Sequence, residues 1–160
     1  MGKRLEVQHI RQNTMKLIAT QATNTPATAE IVTENGVLVI ANDVNPLETN
    51  INGIKRIDLH FPKFTDGRAF TQAVMLRKRA GFTGEIRATG DVLVDQLQQM
   101  ARSGFDVAEL RADQDLAAGQ RQLDRYSEFY QGDVVNTAPH FLAPRFLTPH
   151  HANNASKAAA

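Results

Sequence analysis

The hydrophobic positions change their period several times along the chain, and each change predicts a different element. Residues 37–41 (VLVIA) form an uninterrupted apolar run after an Asn-Gly turn, as expected for a strand buried on both faces of a sheet. Residues 56–61 (RIDLHF) alternate strictly between polar and apolar side chains, which predicts a half-buried strand. Pro62 cannot donate a ladder hydrogen bond and therefore marks the end of that strand.

Three later segments have the 3.6-residue spacing of amphipathic helices. The first covers 68–80, with basic residues in its last turn and a glycine directly after it. A second helix is expected to begin at Asp91, a credible N-cap residue. A third is expected to begin at Asp113 or Asp115 and to reach about Tyr130.

Short strands at 85–88 and 106–110 separate these helices, and Pro46 is placed to open a further short helix through about Thr49. The resulting order is β-α-β-α-β-α-β-α. It predicts an α/β fold with a mainly parallel sheet of about four strands and right-handed crossovers. Spacing alone leaves open whether this sheet is flavodoxin-like or half-barrel-like.

The ends of the chain are more polar and less regular than its centre. Residues 1–28 are predicted to be a weakly ordered N-terminal segment, in which 15–19 (MKLIA) could form a short strand. The α/β domain is expected over 29–131. Residues 132–160 contain three prolines and no periodicity, which predicts a flexible tail.

Composition excludes several kinds of chemistry. The chain has no cysteine, so it cannot supply a thiol nucleophile, a disulfide, a cysteine-ligated zinc or a cysteine-held iron–sulfur cluster. It also lacks a Walker motif and a GxGxxG motif, and we predict no cofactor and no metal.

Charge and hydropathy narrow the expected partners and location. The 18 basic and 17 acidic residues give a net charge of +1, so no global basic excess favours nucleic acid. No run approaches the roughly 18 apolar residues of a membrane span. The expected location is the cytoplasm.

In a parallel α/β fold, ligands collect at the carboxyl ends of the strands, where the strand-to-helix loops lie. Two such loops, 63–68 and 87–91, have glycines for close backbone approach, helix N-termini and planar arginine side chains, which together favour an anion- or partner-binding site. An alternative interpretation is that the aspartates are ordinary helix caps and the arginines simply pair with them. The candidate residues are Lys63, Thr65, Asp66, Gly67, Arg68, Arg87, Thr89 and Asp91.

The runs FPKFTDGR at 61–68 and RATGDVLVDQL at 87–97 carry a family resemblance. From about Gly36 to Gln131 the chain resembles the bacterial DUF934 family. That resemblance implies a small cytoplasmic protein encoded beside sulfite reductase and often labelled an oxidoreductase of sulfite reduction. It therefore implies a role as an accessory or electron-transfer partner of assimilatory sulfite reductase, and it supplies no catalytic residues. The alternative is an enzyme or a small-anion-binding module with its ligand site at the carboxyl edge of the sheet.

Overall fold

The computed structural model describes residues 15–20, 31–33, 35–126 and 129–138. Within them lie six strands and three α-helices. Strands and helices alternate over 56–124, as the sequence predicts, whereas the described residues contain no helix between the first four strands. The elements are β1 (Lys16–Ala19), β2 (Ile31–Thr33), β3 (Val37–Ile40), β4 (Arg56–Phe61), β5 (Glu85–Gly90), β6 (Val107–Leu110), α1 (Arg68–Lys78), α2 (Leu97–Ser103), α3 (Leu116–Asp124) and a short 3-10 helix at Val94–Gln96.

The strands form one sheet in the order β1-β6-β5-β4-β3-β2. Five of them are parallel, and β2 adds an antiparallel edge strand beside β3. The predicted α/β class and mainly parallel sheet are confirmed, with five parallel strands where about four were expected. The extra strand is β1, which pairs with β6 through Lys16↔Val107 and so joins the sheet from outside the predicted domain boundary.

The core lies on one face of the sheet. Ile40, Leu59, Ala88 and Ala108 form a row across four neighbouring strands, and each is fully buried. The helices pack on this face, and Gly119 of α3 comes so close that an added Cβ atom would lie 2.8 Å from the Leu17 side chain. An open sheet of this kind fits a flavodoxin-like arrangement, while the consecutive order of β3 to β6 under a single helical layer is a feature shared with half of a barrel.

Several predicted boundaries differ from the structure. Residues 46–49 form turns and bends and no helix, because the loop after β3 makes only isolated local hydrogen bonds such as Glu48 N to Asn45 O. Helix α3 ends at Asp124, well before Tyr130. None of the helices in the described residues has the length and apolar character that a membrane crossing requires.

The first part of the predicted tail packs against the end of α2. The amide of Val134 donates to the carbonyl of Arg102 at 3.2 Å, and the guanidinium of Arg102 lies 4.5 Å from the ring centroid of Phe129. Asp133 organises this segment, since its carboxylate accepts from the amides of Val135 and Asn136. The rest of the predicted tail, 139–160, and the first 14 residues lie outside the described residues.

Candidate functional site at the carboxyl edge of the sheet

The loops that follow β3, β4, β5 and β6 meet at one edge, because these strands are parallel and neighbouring. We call this surface the carboxyl edge and define it as residues 41–45, 62–68, 91–96 and 111–115. Helices α1, α2 and α3 all begin there. The predicted site therefore lies where parallel α/β proteins commonly bind ligands and partners.

Asp66 and Arg68 form a closed pair at this edge. Nε and Nη2 of Arg68 donate to the Asp66 carboxylate at 3.0 and 2.7 Å, and Asn42 donates to the same carboxylate at 2.7 Å. The side-chain hydrogen bond from Arg68 is the main reason that the pKa of Asp66 falls to about 2. Asp66 is not the N-cap of α1, which is Gly67, although it accepts a 3.2 Å hydrogen bond from the Arg68 amide. The Nε and Nη2 edge of the Arg68 guanidinium is thus already occupied by the Asp66 carboxylate.

Asp91 joins three of the loops. Its carboxylate accepts from the amide of Phe64 at 2.8 Å and from Nη1 of Arg111 at 2.7 Å. The prediction that Asp91 caps a helix is wrong, since the following 3-10 helix begins after Leu93, whose amide donates to the side chain of Gln96. The Asp91 carboxylate therefore binds groups of the loops after β4 and β6.

Arg111 completes the network beside Asp91. It makes two hydrogen bonds to Asp113, at 2.6 and 2.7 Å. These bonds lower the pKa of Asp113 to about 2, and the pKa of Arg111 rises because of Asp113 and Asp91. Both arginines of the carboxyl edge are therefore bound to carboxylates of the same chain.

Phe64 is the side chain that sequence reasoning missed. The residue is 49% exposed, while both its backbone amide and its carbonyl are hydrogen-bonded. Its amide donates to Asp91 and its carbonyl accepts from Nε2 of Gln96, each at 2.8 Å. No local signal identifies this role, because both partners lie about thirty residues further along the chain and only the fold brings them to the loop.

Arg87 is not part of the carboxyl edge. It lies inside β5, in agreement with the strand predicted over 85–88. Its assignment to the loop 87–91 is wrong, because the parallel pairing with β4 continues to Phe61↔Gly90. Its neighbours in β5, Ile86 and Ala88, point into the core, so Arg87 points to the opposite face. There it donates to Glu85 at 2.9 Å.

The surroundings of Arg87 are polar and partly paired, although its own buried Nε has no hydrogen-bond partner among the described residues. Asp58 lies opposite it in register and is hydrogen-bonded by Arg56 at 2.9 and 3.1 Å. Burial raises the pKa of the Asp58 carboxyl, against the lowering effect of Arg56. Thr89 is buried near the end of the same strand and donates to the carbonyl of Leu59 at 3.4 Å.

Six of the eight predicted residues are thus brought together and two are not. Arg87 and Thr89 lie in β5, and the other six share the carboxyl edge. These six are Lys63, Thr65, Asp66, Gly67, Arg68 and Asp91. At the carboxyl edge, the exposed side chain of Phe64 projects from a hydrogen-bonded loop. The same edge contains the ion pairs of Arg68 with Asp66 and of Arg111 with Asp91 and Asp113. Within the part of the chain that the structure describes, no group of three or more His, Asp or Glu side chains is placed to hold a metal ion.

A family model described as a bacterial protein of unknown function (DUF934) matches residues 36–141. The match begins at the turn before β3, includes the whole carboxyl edge, and continues past Gln131 through the segment packed on α2. No curated protein and no solved structure shows a significant match to the chain.

Proposed function

Because the chain belongs to the DUF934 family of bacterial proteins, we propose that it is an accessory or electron-transfer partner of assimilatory sulfite reductase in the cytoplasm. The pathway comes from the family resemblance described above. We further propose that the chain itself is non-catalytic and that it docks through the carboxyl edge.

The main support for this docking surface is Phe64, whose side chain is exposed while its backbone is fixed by two hydrogen bonds. Protein interfaces draw much of their binding free energy from a few aromatic side chains that enter pockets on the partner. Burying a ring of this size contributes about 1.5–3 kcal/mol. Because Asp91 and Gln96 already fix the loop, little backbone freedom is lost when the ring is bound.

A small-anion site at the same edge has less support. An oxyanion needs free donors, and the guanidinium groups of Arg68 and Arg111 already donate to carboxylates within the chain. Arg87, the second predicted anion ligand, lies on the opposite face of the sheet from the core. An anion would have to displace ion pairs, whereas a protein partner can cover them and bury Phe64.

Growth of a deletion strain tests the pathway. We expect poor growth on sulfate as the sole sulfur source, with recovery when cysteine is supplied. Wild-type protein and a Tyr126→Ala variant should restore growth on sulfate, and a Phe64→Ala variant should not. Tyr126 is a matched control, because it is a 57% exposed aromatic residue that follows α3, away from the carboxyl edge. Normal growth of the deletion strain on sulfate would contradict the proposal.

A further inference from the structure

The carboxyl edge has an excess of negative charge. Its four loops contain six aspartates and three basic residues, a formal charge of −3. Four of the aspartates are exposed. Asp113 is hydrogen-bonded to Arg111 and Asp115 caps α3, while the other two have neither role. These two are Asp43, in the loop after β3, and Asp95, in the 3-10 helix.

The opposite end of the molecule has the reverse charge. It consists of the loops before β4 to β6, the last residues of the helices and the segment packed on α2 (53–55, 77–84, 102–106, 124–126 and 129–138). Its described residues contain six basic and three acidic side chains, a formal charge of +3. Lys78, Arg79 and Arg125 are exposed there. The described part of the chain is therefore polarised along the strand direction.

Helix dipoles reduce this polarity without reversing it. Each helix N-terminus is equivalent to about +0.5 charge, and the three helices beginning at the carboxyl edge offset about half of its formal charge of −3. Acidic residues at helix starts also have a stabilising role of their own, as the Asp115 cap of α3 shows. Asp43 has no such role, since it precedes no helix.

We infer that the partner presents a basic surface with an apolar pocket for Phe64, and that the charge polarity of the chain orients it during approach. This inference rests on the proposed function and adds the chemistry of the partner's surface. A negative edge repels nucleic acid and anionic membranes, so a basic protein surface is the occupant that fits. Opposite potentials on two proteins accelerate their encounter, and they fix which end of the molecule arrives first.

Salt-dependent binding of the full chain to purified sulfite reductase tests the inference. Association rates and Kd are measured at 50 and 300 mM NaCl for the wild type, for the double variant Asp43→Asn/Asp95→Asn, and for Asp124→Asn. We expect the wild type to bind on the order of tenfold more weakly at high salt, mainly through a slower association rate. The double variant should bind several-fold more weakly at low salt and lose most of this salt dependence.

Asp124→Asn is the matched control, because Asp124 is exposed and lies at the end of α3, away from the carboxyl edge. It should bind at least as tightly as the wild type. Tight binding with no salt dependence, or an equal effect of Asp124→Asn and the double variant, would overturn the inference and leave the partnership intact. Absence of any binding by the wild type would overturn the proposed function and the inference together.

Discussion

The carboxylate of Asp91 accepts a 2.8 Å hydrogen bond from the backbone amide of Phe64, 27 residues earlier in the chain. The same carboxylate is bound by Arg111 from the loop after β6. One side chain therefore connects three loops, and its two partners lie 27 and 20 residues away in the sequence. Asp91 therefore holds loops of the carboxyl edge together and does not act as a helix cap.

Replacing Asp91 by alanine should release the Phe64 loop. The amide loses a charged acceptor and Arg111 loses one of its two carboxylate partners, so we expect unfolding free energy to fall by about 1–3 kcal/mol. Amide hydrogen exchange at Phe64 should become much faster, because that amide is left to solvent. Asp95→Ala is the control, and it should change neither quantity. Continued protection of the Phe64 amide in the Asp91 variant would contradict this role.

Gly90 is required at the end of β5 for two reasons. Its φ is +92°, and an added Cβ atom would lie 2.4 Å from the carbonyl oxygen of Phe61. Gly53 has a similar φ of +75° but nothing within 4 Å of the added atom. Gly53→Ala should therefore cost about 1–2 kcal/mol, the penalty of the left-handed backbone alone. Gly90→Ala should cost clearly more in urea denaturation, and equal losses would show that the close approach to Phe61 is unimportant.

Arg77 holds the end of the molecule opposite the carboxyl edge. Its side chain is only 15% exposed, donates to the carbonyls of Phe82, Gly84 and Gly104, and pairs with Asp106. Arg77→Ala leaves these acceptors without their donor, and we expect a loss of about 3 kcal/mol.

Arg77→Lys should recover only part of this loss, because an ammonium group cannot reproduce the planar geometry of a guanidinium. Lys78→Ala, at the exposed neighbouring position, is the control and should change stability little. Equal stability of the Arg77→Ala and Lys78→Ala proteins by chemical denaturation would refute the structural role of Arg77.

Two carboxylates of lowered pKa predict a pH dependence. The pKa values of Asp66 and Asp113 are about 2, below the usual value of 3.8, because each is hydrogen-bonded by an arginine. Their contribution to stability is present above about pH 4 and is lost as the pH falls through 2. Carboxyl chemical shifts measured against pH should show both low values. In an Arg68→Gln protein the pKa of Asp66 should rise towards 3.8 while that of Asp113 stays near 2, and a shift in both would contradict the pairing.

The sequence predicted those features that short-range patterns determine. The strand over 56–61 agrees with β4 at both ends, because strict alternation and Pro62 define it locally. The sequence places Arg87 both in a strand over 85–88 and in a loop over 87–91, and only the pairing with β4, which extends the strand to Gly90, decides between them. The sequence predicts Asp91 as a helix cap, because its actual partners, Phe64 and Arg111, are 27 and 20 residues away. Contacts of this kind depend on the assembled sheet.

We propose above all that the carboxyl edge binds sulfite reductase through Phe64. The most direct measurement is the Kd of purified chain and purified sulfite reductase, determined by calorimetry for the wild type, Phe64→Ala and Tyr126→Ala. Loss of a buried ring at an interface costs about 2 kcal/mol or more, so we predict at least tenfold weaker binding for Phe64→Ala. Tyr126→Ala should bind like the wild type. Equal affinity of all three proteins, or no binding by the wild type, would contradict the claim.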